Sequence, residues 1–214
     1  FAINLGPTET LPSSRLLEHL ASLLNEAKRR EKMAGIGKRL VDGKGTDRAL
    51  MSMKSMTFKL RRAREDDCRL LWQWANDPGA RMASFSSEPI SWDQHVKWFR
   101  SKLGDNRRIM FVATNEEGTP IGQVRYDIDG SEATVSISVD RKFRGTGKGS
   151  TIIWLSSQHV FDTLDVKAIH AYVKEDNKRS IRAFTKADFK YMGKAVIQGQ
   201  EAVHLILPRR GPTI

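Results

Sequence analysis

The sequence predicts a compact α/β (α+β) domain from Thr57 onward, preceded by a helical segment. Three observations carry that reading. Strand-type and helix-type stretches alternate after Thr57, three strand-length apolar runs follow one another across turn-rich links, and a glycine-rich turn then separates a strand run from a helical run. The 214 residues suffice for one substantial core plus an appendage, and two full-sized domains are not expected.

At the start of the chain, Leu16, Leu17, Leu20, Leu23, Leu24 and Ala27 fall at spacings of three and four. This is one apolar helical stripe, and it predicts a helix from Ser13 or Ser14 through residue 34. The stretch VDGKGTDR (41–48) breaks the pattern, and a shorter helical segment is predicted at Thr46 to Ser55. Residues 1–55 form too little chain for a core of their own and must dock on something else. The predicted domain covers 56–209, with 210–214 as a tail. Its first strand is TFKLRRA (57–63), and a helix led by Asp66 and Asp67 follows, carrying Leu70, Leu71, Trp72 and Trp74. The Pro, Gly and Ser content of NDPGARMASFSSEPIS (76–91) predicts a long loop, with a helix from about Ser91. Strands are predicted at 109–114, 120–128 and 133–139, joined as hairpins through NEEGT and DGSE. Then come a helix at about 149–162, a strand at 168–173, a helix at about 177–187, and strands near YMGKAVI and EAVHLIL.

Lys and Arg number 36 against 25 Asp and Glu, a formal charge of +11. Such a surplus suits nucleic acid, an anionic membrane or a phosphate-rich small ligand. The basic residues are dispersed, with neither zinc-finger spacing nor an RNA-recognition aromatic motif, so no nucleic-acid partner is predicted. The single cysteine, Cys68, permits no intrachain disulfide and lacks the paired spacing of a zinc site, so no metal is predicted. There is no apolar run of 18 residues and no basic-then-apolar start. A cytoplasmic setting without a membrane span is expected, and a homodimer stays open. The opening FAINLG, without Met, reads as the interior of a longer polypeptide.

The densest chemical signal is VDRKFRGTGKGS (139–150), a strand end followed by glycines at 145, 147 and 149 and then TIIWLSSQHVF. Strand, glycine turn and helix together make an anion site. The first N–H groups of a helix lack intrahelical partners and sit at the positive end of its dipole, and glycine lets a phosphate approach the backbone. Arg144 and Lys148 add charge to the same pocket. A Walker loop needs Lys followed by Ser or Thr, but Gly149 follows Lys148. A dinucleotide fold places its glycines after the first strand of a βαβ unit, whereas this turn follows three hairpin-linked strands.

Arg144, Gly147 and Gly149, in the order R-x-x-G-x-G after SISV, resemble motif A of the GCN5-related N-acetyltransferases (GNAT). NKRSIRAFTKADF resembles the same superfamily's next motif at Asn177, Ser180, Phe184, Lys186 and Phe189. The resemblance covers about Thr57 to Pro208. It implies a GNAT fold, a mixed and largely antiparallel central sheet with helices on both faces, and acetyl-CoA as cofactor. It further implies that Ile137, Ser138 and Val139 pair their backbone with the pantetheine arm. Residues Arg144, Gly145, Thr146, Gly147, Lys148, Gly149 and Ser150 would hold the pyrophosphate, and Asn177, Ser180 and Phe184 would border the cofactor. Two positions depart from the pattern: Phe184 stands where the family commonly has a tyrosine acid, and Asp188 stands where a glycine precedes Phe189.

The resemblance implies attack of a neutral amine on a thioester, which needs a path for the proton and a donor for the developing oxyanion. Backbone N–H groups near Val139 suit the second task. Candidate bases are His95, Glu88, Tyr126 and Asp127, with His95 best placed by its ordinary pKa of about 6.5. The alternative for His95 is a packed helix histidine between Trp92 and Trp98. LLWQWANDPGARMASFSSEPISWDQHVKWF (70–99) with GQVRYD (122–127) is similar to the acetyltransferases of pseudaminic-acid-type sugar biosynthesis, with Ala75 where that family more often has arginine. That resemblance implies a UDP-linked amino-deoxy sugar as acceptor. Phe85 and Trp92 would stack on uracil, Arg81 and Arg125 would pair with the diphosphate, and Ser86, Glu88 or His95 would meet the sugar. FAINLG and GKRLVDGKGTDRAL resemble the C-terminal end of the UDP-sugar hydrolase of the same pathway, which implies an upstream hydrolase domain in the same polypeptide. A protein N-terminus or small amine is the alternative acceptor, and a non-catalytic acyl-CoA-binding module is the alternative role.

Overall fold

The computed structural model describes residues 12–40 and 58–209. The chain divides into two units, Phe1–Leu50 and Met51–Ile214. In the first, α1 (Ser13–Asn25) and α2 (Ala27–Leu40) replace the single helix predicted through residue 34. The break is Glu26, whose backbone leaves the helical region at φ −103° and ψ 78° while its N–H still bonds the Ser22 carbonyl at 3.0 Å. The segment predicted at Thr46 to Ser55 lies outside the described residues.

The second unit contains a seven-stranded mixed sheet with helices on both faces. Its strands are β1 (Lys59–Arg62), β2 (Arg108–Thr114), β3 (Pro120–Asp129), β4 (Glu132–Val139), β5 (Ala168–Lys174), β6 (Lys190–Ile197) and β7 (Gln200–Pro208), in the order β1-β2-β3-β4-β5-β7-β6. All neighbours are antiparallel except β4 and β5. The alternation of β3 explains how the layers form. Val124 and Tyr126 join Ile109, Phe111, Val135 and Ile169 in one core, against α6 (Lys148–Thr163), which contributes Ile152, Ile153 and Val160. On the opposite face, Met110 and Val112 of β2 pack with α3 (Cys68–Ala75) and α5 (Trp92–Leu103) through Leu71, Trp74 and Phe99. Burying each Val, Leu, Ile, Phe or Met among these contributes about 1.5–3 kcal/mol.

The stretch predicted as a loop at 76–91 contains a short helix, α4 (Pro78–Ala83). Asp77 caps it by accepting from the Ala80 N–H at 3.0 Å, and Pro78 occupies the first helical position, where its missing N–H costs nothing. The remaining helix is α7 (Lys178–Lys186), capped by Asn177. Its strongly amphipathic sequence buries Phe184 beside Phe189, edge to face at 5.0 Å between ring centroids.

Candidate functional site: a split in the sheet

The site begins with a defect in strand pairing. β4 and β5 are paired only through Glu132–Ala168, Ala133–Ile169 and Thr134–His170. Beyond that point β4 keeps its pairing with β3 up to Val139, while β5 keeps its pairing with β7 up to Lys174. Residues along one strand of an antiparallel pair direct their backbone groups alternately toward and away from the partner. The Asp140 N–H bonds the Ile121 carbonyl at 2.9 Å, which fixes the parity. Ser138 and Ser136 therefore bond back to β3, and Ile137 and Val139 present N–H and C=O to the gap. The Val139 carbonyl is taken by Arg144 Nε at 2.8 Å, leaving its N–H facing the opening.

The glycine turn lies at the end of the same strand. Gly145 (φ 82°) and Gly147 (φ 81°) occupy the left-handed region, and a Cβ on either would stand in open space. Gly147 is the N-cap of α6 and brings no side chain to cap it, so the first N–H groups of the helix are left for an anion. A Cβ on Gly149 would meet Val139 and Ala183 only at 3.6 and 4.0 Å, so no contact within the protein demands glycine there. Ser150 Oγ donates to the Gly147 carbonyl at 2.8 Å, and Thr146 Oγ1 to the Phe143 carbonyl at 2.8 Å, holding the turn.

A cavity of about 1170 Å³ joins this gap to a second compartment under α4 and α5. Its wall along β4 and the glycine turn includes Ile137, Ser138, Val139, Gly145, Gly147, Gly149 and Ser150, and Asn177, Ser180 and Phe184 from the α7 end also line it. Asn177 Oδ1 accepts from the Ser180 N–H at 3.0 Å, so its side chain is the cap of α7. Two predicted phosphate-binding side chains are placed differently. Arg144 is tied to Val139 and forms an ion pair with Asp77, which makes it the strut between the turn and α4. Burial pushes the Asp77 carboxyl up, but Arg144 and the Ala80 amide outweigh it and hold that carboxyl below the usual range. Lys148 is not on the cavity wall. Its Nζ lies over the rings of Phe58 and Phe143, at 5.1 and 5.4 Å from their centroids. Thr146 also lies off the wall.

On the acceptor side the structure brings together Arg81, Phe85, His95 and Arg125, and leaves Ser86, Glu88 and Trp92 off the wall. Ser86 and Glu88 are exposed, and Glu88 contributes only its carbonyl, bonded by Arg81 Nη1 at 2.9 Å. Trp92 packs edge to face on Trp72 at 5.5 Å, with Arg69 over its ring. Tyr126 is corrected outright. It is fully buried in the core, on the face of β3 opposite Arg125, and its hydroxyl meets Ser156 Oγ at 2.7 Å and Ser157 Oγ at 3.1 Å. Burial pushes its pKa up to about 12, against the weaker effect of the two serines, so it holds its proton. Asp127 is paired with Arg108 and, at 3.4 Å, with Arg125.

His95 lies on the wall but is 1% exposed, stacked against Trp92 and Phe99 and flanked by Trp98. Its Nε2 donates to the Cys68 carbonyl at 3.0 Å, and burial holds its pKa below 6.5 despite that bond. This is the packed helix histidine, and a base role is not supported by its surroundings. Sequence reasoning missed Gln123 and Tyr172, both on the wall. Among the described residues Asp176 is the one carboxylate there, against seven Lys and Arg. Among those residues, too, no three His, Cys, Asp or Glu converge as metal ligands would, and no helix is long and apolar enough to cross a membrane.

A protein-family model described as an acetyltransferase (GNAT) domain matches residues 57–190, more than half of the chain. An uncharacterized protein of Methanocaldococcus jannaschii is 24% identical over 143 residues, covering 61% of this chain and 28% of that protein. The chain thus spans little more than a quarter of the curated relative it matches. Among solved structures, spermidine N-acetyltransferase from Vibrio cholerae in complex with CoA and spermine is 21% identical with a TM-score of 0.65, over 72% of this chain and 96% of that one. The aminoglycoside acetyltransferase AAC(6')-Ib in complex with coenzyme A is 18% identical with a TM-score of 0.63, over 71% and 95%. Both likenesses are of fold.

Proposed function

The chain belongs to the acetyltransferase (GNAT) domain family, and on that premise we propose that it transfers an acetyl group from acetyl-CoA to the amine of a UDP-linked amino-deoxy sugar by direct attack. The observation that carries the cofactor reading is the unpaired edge of β4 running into an uncapped helix start. The edge at Ile137 and Val139 fits a pantetheine arm as a substitute strand, and the turn at Gly145 to Ser150 fits its pyrophosphate. Acetyl-CoA supplies a thioester carbonyl open to attack and a thiol leaving group with pKa about 8.5. That Arg144 holds the Val139 carbonyl supports reading the Val139 N–H as the donor to the oxyanion.

The acceptor reading rests on charge. Arg81 Nε is shielded from solvent without a hydrogen-bond partner, Arg125 is met by Asp127 at 3.4 Å and by Ser136 at 3.5 Å, and both residues line the acceptor compartment. Burial without full compensation lowers the pKa of both guanidinium groups, so an arriving anion relieves a cost already present in the chain. A diphosphate supplies that anion, while a polyamine meets the guanidinium groups of Arg81 and Arg125 there. The sequence resemblance further supports a role in nonulosonic (pseudaminic-type) acid or surface polysaccharide biosynthesis, and residues 1–55 as the end of a hydrolase domain. Release of CoA is to be followed with a UDP-linked 4-amino sugar, spermidine and a peptide N-terminus. Transfer to the sugar alone is expected. Transfer only to spermidine or peptide overturns the acceptor assignment, and CoA binding without transfer to any amine favours an acyl-CoA-binding module.

A further inference from the structure

Gln123 and Ser138 face each other across β3 and β4. The parity fixed by Asp140 makes them a hydrogen-bonded pair, with Cα atoms ~5.5 Å apart. Their side chains rise on the sheet face that also carries Arg125 and Ser136, and both residues line the cavity. Gly122, beside Gln123, keeps this end of the two strands close, since a Cβ there would meet the Ser138 carbonyl at 2.8 Å. Gln123 Oε1 and Ser138 Oγ are both shielded from solvent, and neither has a hydrogen-bond partner. Buried polar atoms are nearly always paired, and two unpaired ones on adjacent strands of one cavity wall mark a place kept for a ligand group. Their Cβ atoms are ~5 Å apart, so once both heads turn into the cavity one ligand nitrogen can sit ~2.9 Å from each. Ser138 reaches it by turning about χ1.

The candidate bases named from the sequence are engaged elsewhere or, for Glu88, off the wall, and Asp176 lies beside the cap of α7. His95 donates to the Cys68 carbonyl, Tyr126 is held by Ser156 and Ser157, Asp127 pairs with two arginines, and Phe184 has no proton to give. We propose that Gln123 and Ser138 receive the acceptor's amine and that Ser138 relays its proton, so the transfer runs without an ionisable base on the enzyme. This rests on the acetyl-transfer reading above. Gln123 Oε1 accepts one N–H of the neutral amine and turns its lone pair toward the thioester held along Ile137 to Val139. The N–C bond forms, and the C–S bond breaks with its electron pair leaving on sulfur. Ser138 Oγ takes the proton shed by nitrogen and gives its own to sulfur. The net change is one proton from nitrogen to sulfur, and no other reactant is needed.

The test is steady-state kinetics of wild type, Ser138→Ala and Gln123→Met with acetyl-CoA and the UDP-linked 4-amino sugar. Each rate is also measured with a fluorinated sugar whose amine is a weaker base. Ser138→Ala should lower kcat about 100-fold, with the KM for acetyl-CoA unchanged. Gln123→Met should raise the acceptor KM about tenfold. The pKa in the wild-type kcat/KM profile should move with the amine used. Rates of both variants within twofold of wild type, or a profile whose pKa stays fixed when the amine changes, overturn the relay. If spermidine or a peptide proves to be the only acceptor, the sugar assignment falls, and the same variants read with that amine still decide this one. No transfer to any amine overturns both.

Discussion

The two halves of the cavity are built from different materials. The half proposed for the cofactor is backbone: the free edge at Ile137 and Val139, two left-handed glycines and an uncapped helix start. The half proposed for the acceptor is side chain: Arg81 and Phe85 from the α4 region, His95 from α5, Gln123 and Arg125 from β3, Ser138 from β4. Backbone geometry survives most substitutions, so the first half tolerates change except where bulk enters it. The second half is set residue by residue, and acceptor choice can shift there without disturbing the grip on the cofactor.

Substituting Gly149 makes the sharpest break in the comparison. Gly149→Leu places a branched side chain in the turn without a positive-φ penalty, and the Cβ itself meets only ordinary contacts. Calorimetry should show CoA affinity reduced at least about 100-fold, by loss of backbone contacts to the pyrophosphate, while UDP binding and the thermal midpoint stay near wild type. Arg125→Met reads the opposite half. It should raise the acceptor KM about tenfold and leave CoA affinity unchanged, because Arg125 touches Ser136, Asp127 and Trp98 rather than the turn.

Tyr126→Phe belongs to neither half. Removing the hydroxyl takes a hydrogen-bond partner from two buried serines and should cost about 1–3 kcal/mol in urea unfolding, with kcat within about twofold of wild type if Tyr126 is outside the chemistry. The smallest effect expected is from His95. Its folded pKa lies below the unfolded value near 6.5 because the ring is buried, so the unfolded chain takes up the proton first as pH falls. Its share of stability is present above pH 6.5 and is lost as pH drops through the folded pKa. His95→Phe should therefore narrow the difference in unfolding free energy between pH 7.5 and pH 5, leaving the pH profile of kcat/KM unchanged.

What was legible in the sequence follows the same division. The glycine turn, its strand and its helix are contiguous, so local pattern sufficed to place them. The split between β4 and β5 is a matter of which residues pair over a gap of more than thirty positions, and no local pattern encodes it. Tyr126 was misplaced although the signal was present. GQVRYD alternates, and Arg125 and Tyr126 as neighbours on one strand must face opposite sides of the sheet, so they do not share a cleft. The cap of α4 was also readable, in Asp77 followed by Pro78. Gln123 and Ser138 were harder, because an unpaired buried atom is visible only after every other partner has been assigned.

Hydrogen–deuterium exchange at single-amide resolution, with and without CoA, tests the central claim directly. The Ile137 and Val139 amides point into the split and should exchange quickly in the free protein. They should become strongly protected on adding CoA, together with the Lys148, Gly149 and Ser150 amides, while Ser136 and Ser138, already bonded to β3, change little. Protection that appears elsewhere, or Ile137 and Val139 amides already slow without CoA, would contradict the account.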